Sequence, residues 1–272
     1  MDFKVILPSP QLADYVRFFW FSEGDASTEK PFIHHAFAYH CPEIVFCYKG
    51  RFNYKSAFDA DKVLVPGFYG QTQTFSRVEA NTGFGAFGCY LYPHALAQLF
   101  SLPASELTNQ SVDIKTLCGK DGEILEEKIM MAANNDQRLQ LICGFLQSRL
   151  INVRKEFAGM CSSIKTISNA YHAVSVKELA TNNFLSERQF ERRFKEFSGF
   201  NPKLFLRIAR FNAVLGQPFQ NNSLAQIANE YGYYDESHFI HDFQKFSGRN
   251  PKEYFNPDIL RASDRGTVVF EQ

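Results

Sequence analysis

Apolar and polar positions divide the chain into three stretches of different period. From residue 3 to about residue 100, apolar residues fall in short or alternating runs at 3–7, 16–21, 33–38, 44–48, 62–65 and 85–91. Turn material separates several of these runs, as at Lys49-Gly50, Val65-Pro66-Gly67 and Asn81-Thr82-Gly83. Many short strands with Gly and Pro punctuation predict a β-rich barrel or sandwich. Beyond His94 the period lengthens. Leu96, Leu99 and Phe100 share one face of a short helix. Leu139, Ile142, Leu146, Leu150, Val153 and Phe157 then step by three or four, which predicts a helix over 136–157 with Asp136 as N-cap. This stripe packs on its own domain or against a second copy, and periodicity does not choose between them.

The third stretch repeats itself. Residues 194–205 (FKEFSGFNPKLF) align with 243–254 (FQKFSGRNPKEY) at an offset of 49, with seven of 12 positions identical. Upstream, Asn183, Ser186 and Phe190 correspond to Gly232, Asp235 and Phe239; with a one-residue shift, Ser175, Leu179 and Ala180 correspond to Ser223, Ile227 and Ala228. Each copy reads as a capped short helix (Ser175-x-x-Glu178, Ser223-x-x-Gln226) and a turn at Asn183 or Gly232 suited to left-handed backbone. A second helix then starts at Ser186 or Asp235. Phe190, Phe194 and Phe197, or Phe239, Phe243 and Phe246, lie at i, i+4, i+7 and form one buried stripe. Gly199 and Gly248 end these helices, and Asn201-Pro202 and Asn250-Pro251 open the next. Helix, tight turn and amphipathic second helix make a helix-turn-helix unit, whose second helix enters the major groove of DNA. A helix over 203–215 joins the two units. Recognition helices about 34 Å apart can enter successive major grooves on one face of a duplex.

The region from 162 to 255 resembles the AraC/XylS family of bacterial transcription regulators. The resemblance rests on residues 186–194 (SERQFERRF), Gly199-x-x-Pro202, Arg210-x-x-Ala213, and Ile227-Ala228-x-x-x-Tyr231-Gly232-Tyr233. It continues through Ser237-His238-Phe239-x-x-x-Phe243, Gly248-x-x-Pro251 and Tyr254. Two mild departures are Tyr233, where the family usually has Phe, and Phe255, where Arg often follows. The resemblance implies an α+β chain of two domains. An N-terminal cupin-like sensor and dimerisation domain spans 1–158, an all-α DNA-binding domain 159–258, and a tail 259–272. It implies sequence-specific binding of double-stranded DNA, a small-molecule effector, a homodimer and contact with RNA polymerase. Activation or repression is left open.

With the phenylalanines turned inward, Arg188, Glu191, Arg192 and Lys195 point outward on the first recognition helix; the resemblance implies that Arg188, Glu191 and Arg192 there, and Glu236, His238 and His241 on the second helix, face base edges. Arg can donate two hydrogen bonds to guanine, and Glu can accept from cytosine. The alternative for the first helix is a solvated face of ion pairs. Arg193, Lys195, Lys203, Arg207, Lys245, Arg249 and Lys252 are candidate phosphate contacts. Arg210 is expected in a structural salt bridge.

Composition adds less. Lys plus Arg and Asp plus Glu both total 29, yet residues 164–255 hold 12 Lys/Arg against 9 Asp/Glu, a modest basic excess. The six cysteines form no C-x-x-C pair and read as buried free thiols. No signal-peptide pattern or membrane-length apolar run occurs, so a cytoplasmic protein is expected. His34, His40 and Glu43 are read as ordinary polar strand residues and no metal site is expected, since the His-x-His and carboxylate spacing of a cupin site is absent; a metal held by these three is the alternative. A metalloenzyme domain fused to a DNA-binding module is thus the second functional reading. No catalytic motif stands out, and neither a cofactor nor enzymatic activity is expected. The N-terminal pieces Pro8-x-Pro10-Gln11-Leu12, Trp20, Val65-Pro66-Gly67 and Tyr92-Pro93 resemble a poorly characterised sensor class of unknown ligand.

Overall fold

The computed structural model describes residues 2–56, 62–153, 157–169, 174–216 and 223–255. The tail 259–272 and residues 154–156 of the predicted 136–157 helix lie outside them.

Among the described residues the N-terminal half holds ten strands: β1 (Asp2–Ile6), β2 (Val16–Gly24), β3 (Phe32–Ala36), β4 (Glu43–Lys49), β5 (Phe52–Ser56), β6 (Lys62–Val63), β7 (Gly67–Tyr69), β8 (Ser76–Ala80), β9 (Phe84–Leu91) and β10 (Ser111–Asp113). They form a six-stranded sheet in the order β1-β2-β9-β4-β7-β10 and a four-stranded sheet in the order β3-β8-β5-β6. All pairings are antiparallel among the described strands. Antiparallel pairs need only short turns, which is why the strand runs follow one another so closely. Period-two alternation gives β4 two faces. Ile44 and Phe46 enter a core with Phe19, Phe68 and Phe87, while Glu43, Val45 and Cys47 face a chamber that residues of both sheets line.

Helices α1 (His94–Phe100), α2 (Ala104–Leu107), α3 (Ile114–Met131) and α4 (Asn135–Arg149) cover the larger sheet. The predicted N-cap shifts by two residues, since Asn134 accepts from the Gln137 amide. The apolar stripe settles on its own domain: Ile142 and Leu146 are fully buried beside Ile129 and Leu99, with Leu139, Leu150 and Val153 packed around them. The stripe therefore no longer argues for a dimer.

The C-terminal half is helical: α5 (Ala158–Asn169), α6 (Val176–Asn182), α7 (Glu187–Ser198), α8 (Pro202–Leu215), α9 (Leu224–Glu230), α10 (Glu236–Ser247) and α11 (Pro251–Tyr254). Its core is aromatic. Phe190, Phe194, Phe205, Phe211, Phe239, Phe243 and Phe246 are all fully buried. Edge-to-face pairs such as Phe194–Phe205 (5.3 Å) and Phe211–Phe243 (5.4 Å) seat the joining helix α8 between the two units.

The halves share part of this core. The segment linking β3 to β4 enters the C-terminal cluster, with Ala38 fully buried in it. The Ala38 amide donates to the Phe246 carbonyl (2.9 Å), and Asn212 Nδ2 donates to the Ala38 carbonyl (2.8 Å). Phe37 stands edge-on to Phe211 and Tyr254.

Candidate nucleic-acid interface

Each unit is built as its residue pattern requires. Ser186 and Gln189 form a full capping box at the start of α7, as do Ser223 and Gln226 for α9. Asp235 caps α10 by accepting from the His238 amide at 2.7 Å. The side chains of Asn201 and Asn250 cap α8 and α11, each with proline in the first turn. Caps of this kind are each worth about 1 kcal/mol, and they fix where the helices begin.

The first turn corrects one expectation. The left-handed residue is Phe184, with φ of 56°, while Asn183 keeps φ of −95°. Asn183 is occupied otherwise: its Nδ2 donates to the Leu179 carbonyl and to Ser163 Oγ, both at 2.8 Å. In the second unit Gly232 takes the left-handed position, as expected, with φ of 69°. The Leu185 amide bonds the Ala180 carbonyl just as the Tyr233 amide bonds that of Ala228, an offset of 48 residues, yet the caps Ser186 and Asp235 are 49 apart. The second turn thus holds one extra residue, Tyr234. Phe184 and Tyr234 are both more than nine-tenths exposed, immediately ahead of the two recognition helices. The sequence reading missed both, although a large apolar residue inside a turn is a usable signal.

On α7, the buried Phe190, Phe194 and Phe197 leave Arg188, Glu191, Arg192, Arg193 and Lys195 exposed. Among the described residues no ion pair engages Arg188, Glu191 or Arg192, so the alternative of a face closed by ion pairs finds no support. On α10, Ser237, His241, Gln244 and Lys245 are exposed and Glu236 is half-exposed. Lys203 and Lys252 are exposed as well.

Four predicted contacts have internal partners: Arg207, His238, Arg249 and the exposed His241, whose Nδ1 lies 3.6 Å from Asp242 Oδ1. Arg207 is a correction to the phosphate set: its Nε donates to Asp242 at 3.0 Å and its Nη2 bonds the second carboxylate oxygen. Asp242 is completely buried, so it holds this guanidinium as its counter-charge. His238 is half-buried and turned toward the same carboxylate, Nε2 to Oδ2 3.6 Å. Arg249 lies over the Phe37 ring of the N-terminal half, 6.0 Å from its centre. Arg210 is buried beside the Tyr233 ring (5.1 Å), a cation–π contact where a salt bridge was expected. Burial lowers its pKa, while Tyr233 and Asp242 act against that.

The residues suggested for a metal do not converge. His40 points at the C-terminal half, where its Nδ1 meets Asn212 Oδ1 (2.8 Å) and its Nε2 meets Arg17 Nη1 (2.9 Å). Glu43 faces the inter-sheet chamber, which His34 also lines, so two of the three share that cavity and His40 does not join them. Among the described residues no cluster of three His, Cys, Asp or Glu side chains could hold a metal ion. The described cysteines are free thiols; Cys41 and Cys89 are buried and the other four half-buried. Among the described residues, no helix is long and apolar enough to cross a membrane.

Residues 179–256 match the helix-turn-helix domain family, and residues 4–113 match a domain of unknown function. No curated protein matches the sequence. ToxT from Vibrio cholerae, in a structure bound to an unsaturated fatty acid, is 11% identical over 87% of this chain and 94% of that one, with a TM-score of 0.49. The DNA-binding domain of AdpA, in complex with a target DNA, is 21% identical over 40% of this chain and 96% of that one, with a TM-score of 0.33. The C-terminal half is a DNA-binding domain of two helix-turn-helix units. Residues 179–256 therefore belong to the helix-turn-helix domain family, which covers α7, α8, α9 and α10.

Proposed function

We propose that α7 and α10 lie in the major groove of an operator and that a small molecule in the inter-sheet chamber adjusts their hold. Arg188, Glu191, Arg192, Glu236 and His241 read bases; Arg193, Lys195, Lys203, Lys245 and Lys252 meet phosphates. Phe184 and Tyr234 rest on the sugar-phosphate edge beside each reader. The observation that carries the DNA reading is the polar, exposed face of two matched helices, each backed by a buried phenylalanine stripe.

The effector reading rests on shared residues. Gly70 and Thr72 line the chamber, and Gln71 between them donates to the Ala104 carbonyl and Thr108 Oγ1, both at 2.7 Å. Thr108 Oγ1 donates in turn to the carbonyl of Gly199 (3.2 Å), the C-cap of the first recognition helix. Gly199 has φ of 83°, and a Cβ there would fall 1.5 Å from Gln71 Nε2, so only glycine admits this contact. The matching C-cap of the second helix, Gly248, abuts Phe75. The N-terminal half thus touches both readers at equivalent points. A homodimer, RNA polymerase contact and a cytoplasmic setting follow from the family resemblance.

Arg192→Ala is expected to change the ranking of operator variants, whereas Lys203→Ala weakens all duplexes alike and lowers the salt dependence. Competitive binding to an operator library measures both. Unaltered ranking with Arg192→Ala would remove Arg192 from base reading.

A further inference from the structure

We propose that the chamber between the two sheets binds a small organic cation, an ammonium group on an apolar body; this names the ligand class for the effector reading above and rests on it. The cavity of about 130 Å³ is framed by aromatic rings from both sheets, among them Trp20, Phe32, Tyr54, Tyr69 and Tyr90. A cavity of about 150 Å³ holds a benzene ring, so a ring or short branched chain fills this one. Its charge is one-sided. Among the described lining residues Glu43 is the carboxylate and no Lys or Arg accompanies it; His34 is the titratable base in the same lining.

Sheet register places Glu43 at the centre of the aromatic frame. It is the direct cross-strand partner of Tyr90 on one side and of Tyr69 on the other. The Tyr90 hydroxyl donates to its carboxyl. The Trp20 indole N–H lies near the same group but forms no well-aligned hydrogen bond. Burial pushes the Glu43 carboxyl up to about 7, against the Tyr90 hydrogen bond and the nearby Trp20 N–H. The chamber therefore holds a carboxylate short of a counter-charge. An ammonium supplies it, with the ring faces drawn to the positive charge. Lys62 does not line the cavity; its Nζ donates to Ser111 Oγ (2.9 Å) and lies 5.7 Å from the Tyr54 ring, behind two of the lining residues.

Isothermal titration and thermal shift of the full chain with phenethylamine, phenylethyl alcohol and phenylacetate test this, since the three share one shape and differ in charge. Phenethylamine is expected to bind about tenfold or more tightly than either of the others and to raise the melting temperature. Glu43→Gln, nearly isosteric, should erase that preference while leaving the alcohol's binding in place. Alcohol or phenylacetate binding as tightly as the amine, or no binding by the amine, would overturn the cation assignment. The effector reading is read separately: if phenylacetate binds and shifts operator affinity, that reading stands while the cation falls.

Discussion

Phe184 occupies a position that physical chemistry disfavours twice. Its backbone is left-handed, which costs a non-glycine residue about 1–2 kcal/mol, and its ring is 96% exposed. The left-handed turn lets the Phe184 and Leu185 amides bond the Thr181 and Ala180 carbonyls, but among the described residues nothing covers the ring, which is why we assign it an external contact. Phe184→Gly relieves the strain at the expense of unfolded-chain entropy. It should raise stability by about 0.5–1 kcal/mol in urea titration. Operator affinity should fall several-fold in the same variant. Stability and affinity moving in opposite directions distinguishes a ring that serves DNA from one that is merely tolerated; unchanged affinity would count against the contact.

At the level of elements, the connection between β3 and β4 is the part no periodicity foretold. Its residues look like the tail of a strand, and the reading of 33–38 as one strand overran the observed end at Ala36 by two positions. Those two residues, Phe37 and Ala38, leave the sheet to bind α8 and α10. Short-range patterns report which face is buried, not which distant element buries it. For the same reason the helix-turn-helix units were legible almost to the residue: capping boxes, stripes and glycine stops are all local. β8, with its alternating charges in SRVEA, and the three-residue β7 and β10 carry too weak an apolar signal to stand out. Arg207 was misassigned because its partner Asp242 is 35 residues away.

The seam between β4 and α8 also carries a pH dependence. Burial holds His40 down to about 3, assisted by the neighbouring Arg17 and opposed by the Asn212 hydrogen bond. The neutral ring must donate from Nδ1 to Asn212 Oδ1 and accept from Arg17 at Nε2. A histidine with its folded pKa depressed contributes stability that is present above about 6.5 and is lost as pH falls toward 3. Glu43, with its pKa raised, works the other way, losing its contribution as pH rises from 4.5 through about 7. His40→Gln should flatten the acid limb of the stability curve, measured by urea unfolding between pH 7 and 4. An unaltered slope would show that His40 is not buried neutral at the seam.

For the whole molecule, the intruding Phe37 and Ala38 make the two halves one cooperative unit. A fragment of residues 159–272 would leave Phe211, Phe246 and Tyr254 facing an empty slot. Losing one such aromatic plug costs about 3–5 kcal/mol in a packed core, less where the walls collapse. The fragment should melt at least about 5 °C below the intact chain by calorimetry, while the intact chain melts in a single transition. Two separate transitions, or an equally stable fragment, would mean the halves are independent.

That intruding segment also limits how such regulators can be recombined. A front half transplanted from another regulator would bring its own loop to a groove shaped for Phe37 and Ala38, and a poor fit would leave the readers unsteadied. Functional chimeras would need the graft points set so that this short loop and its groove are inherited together.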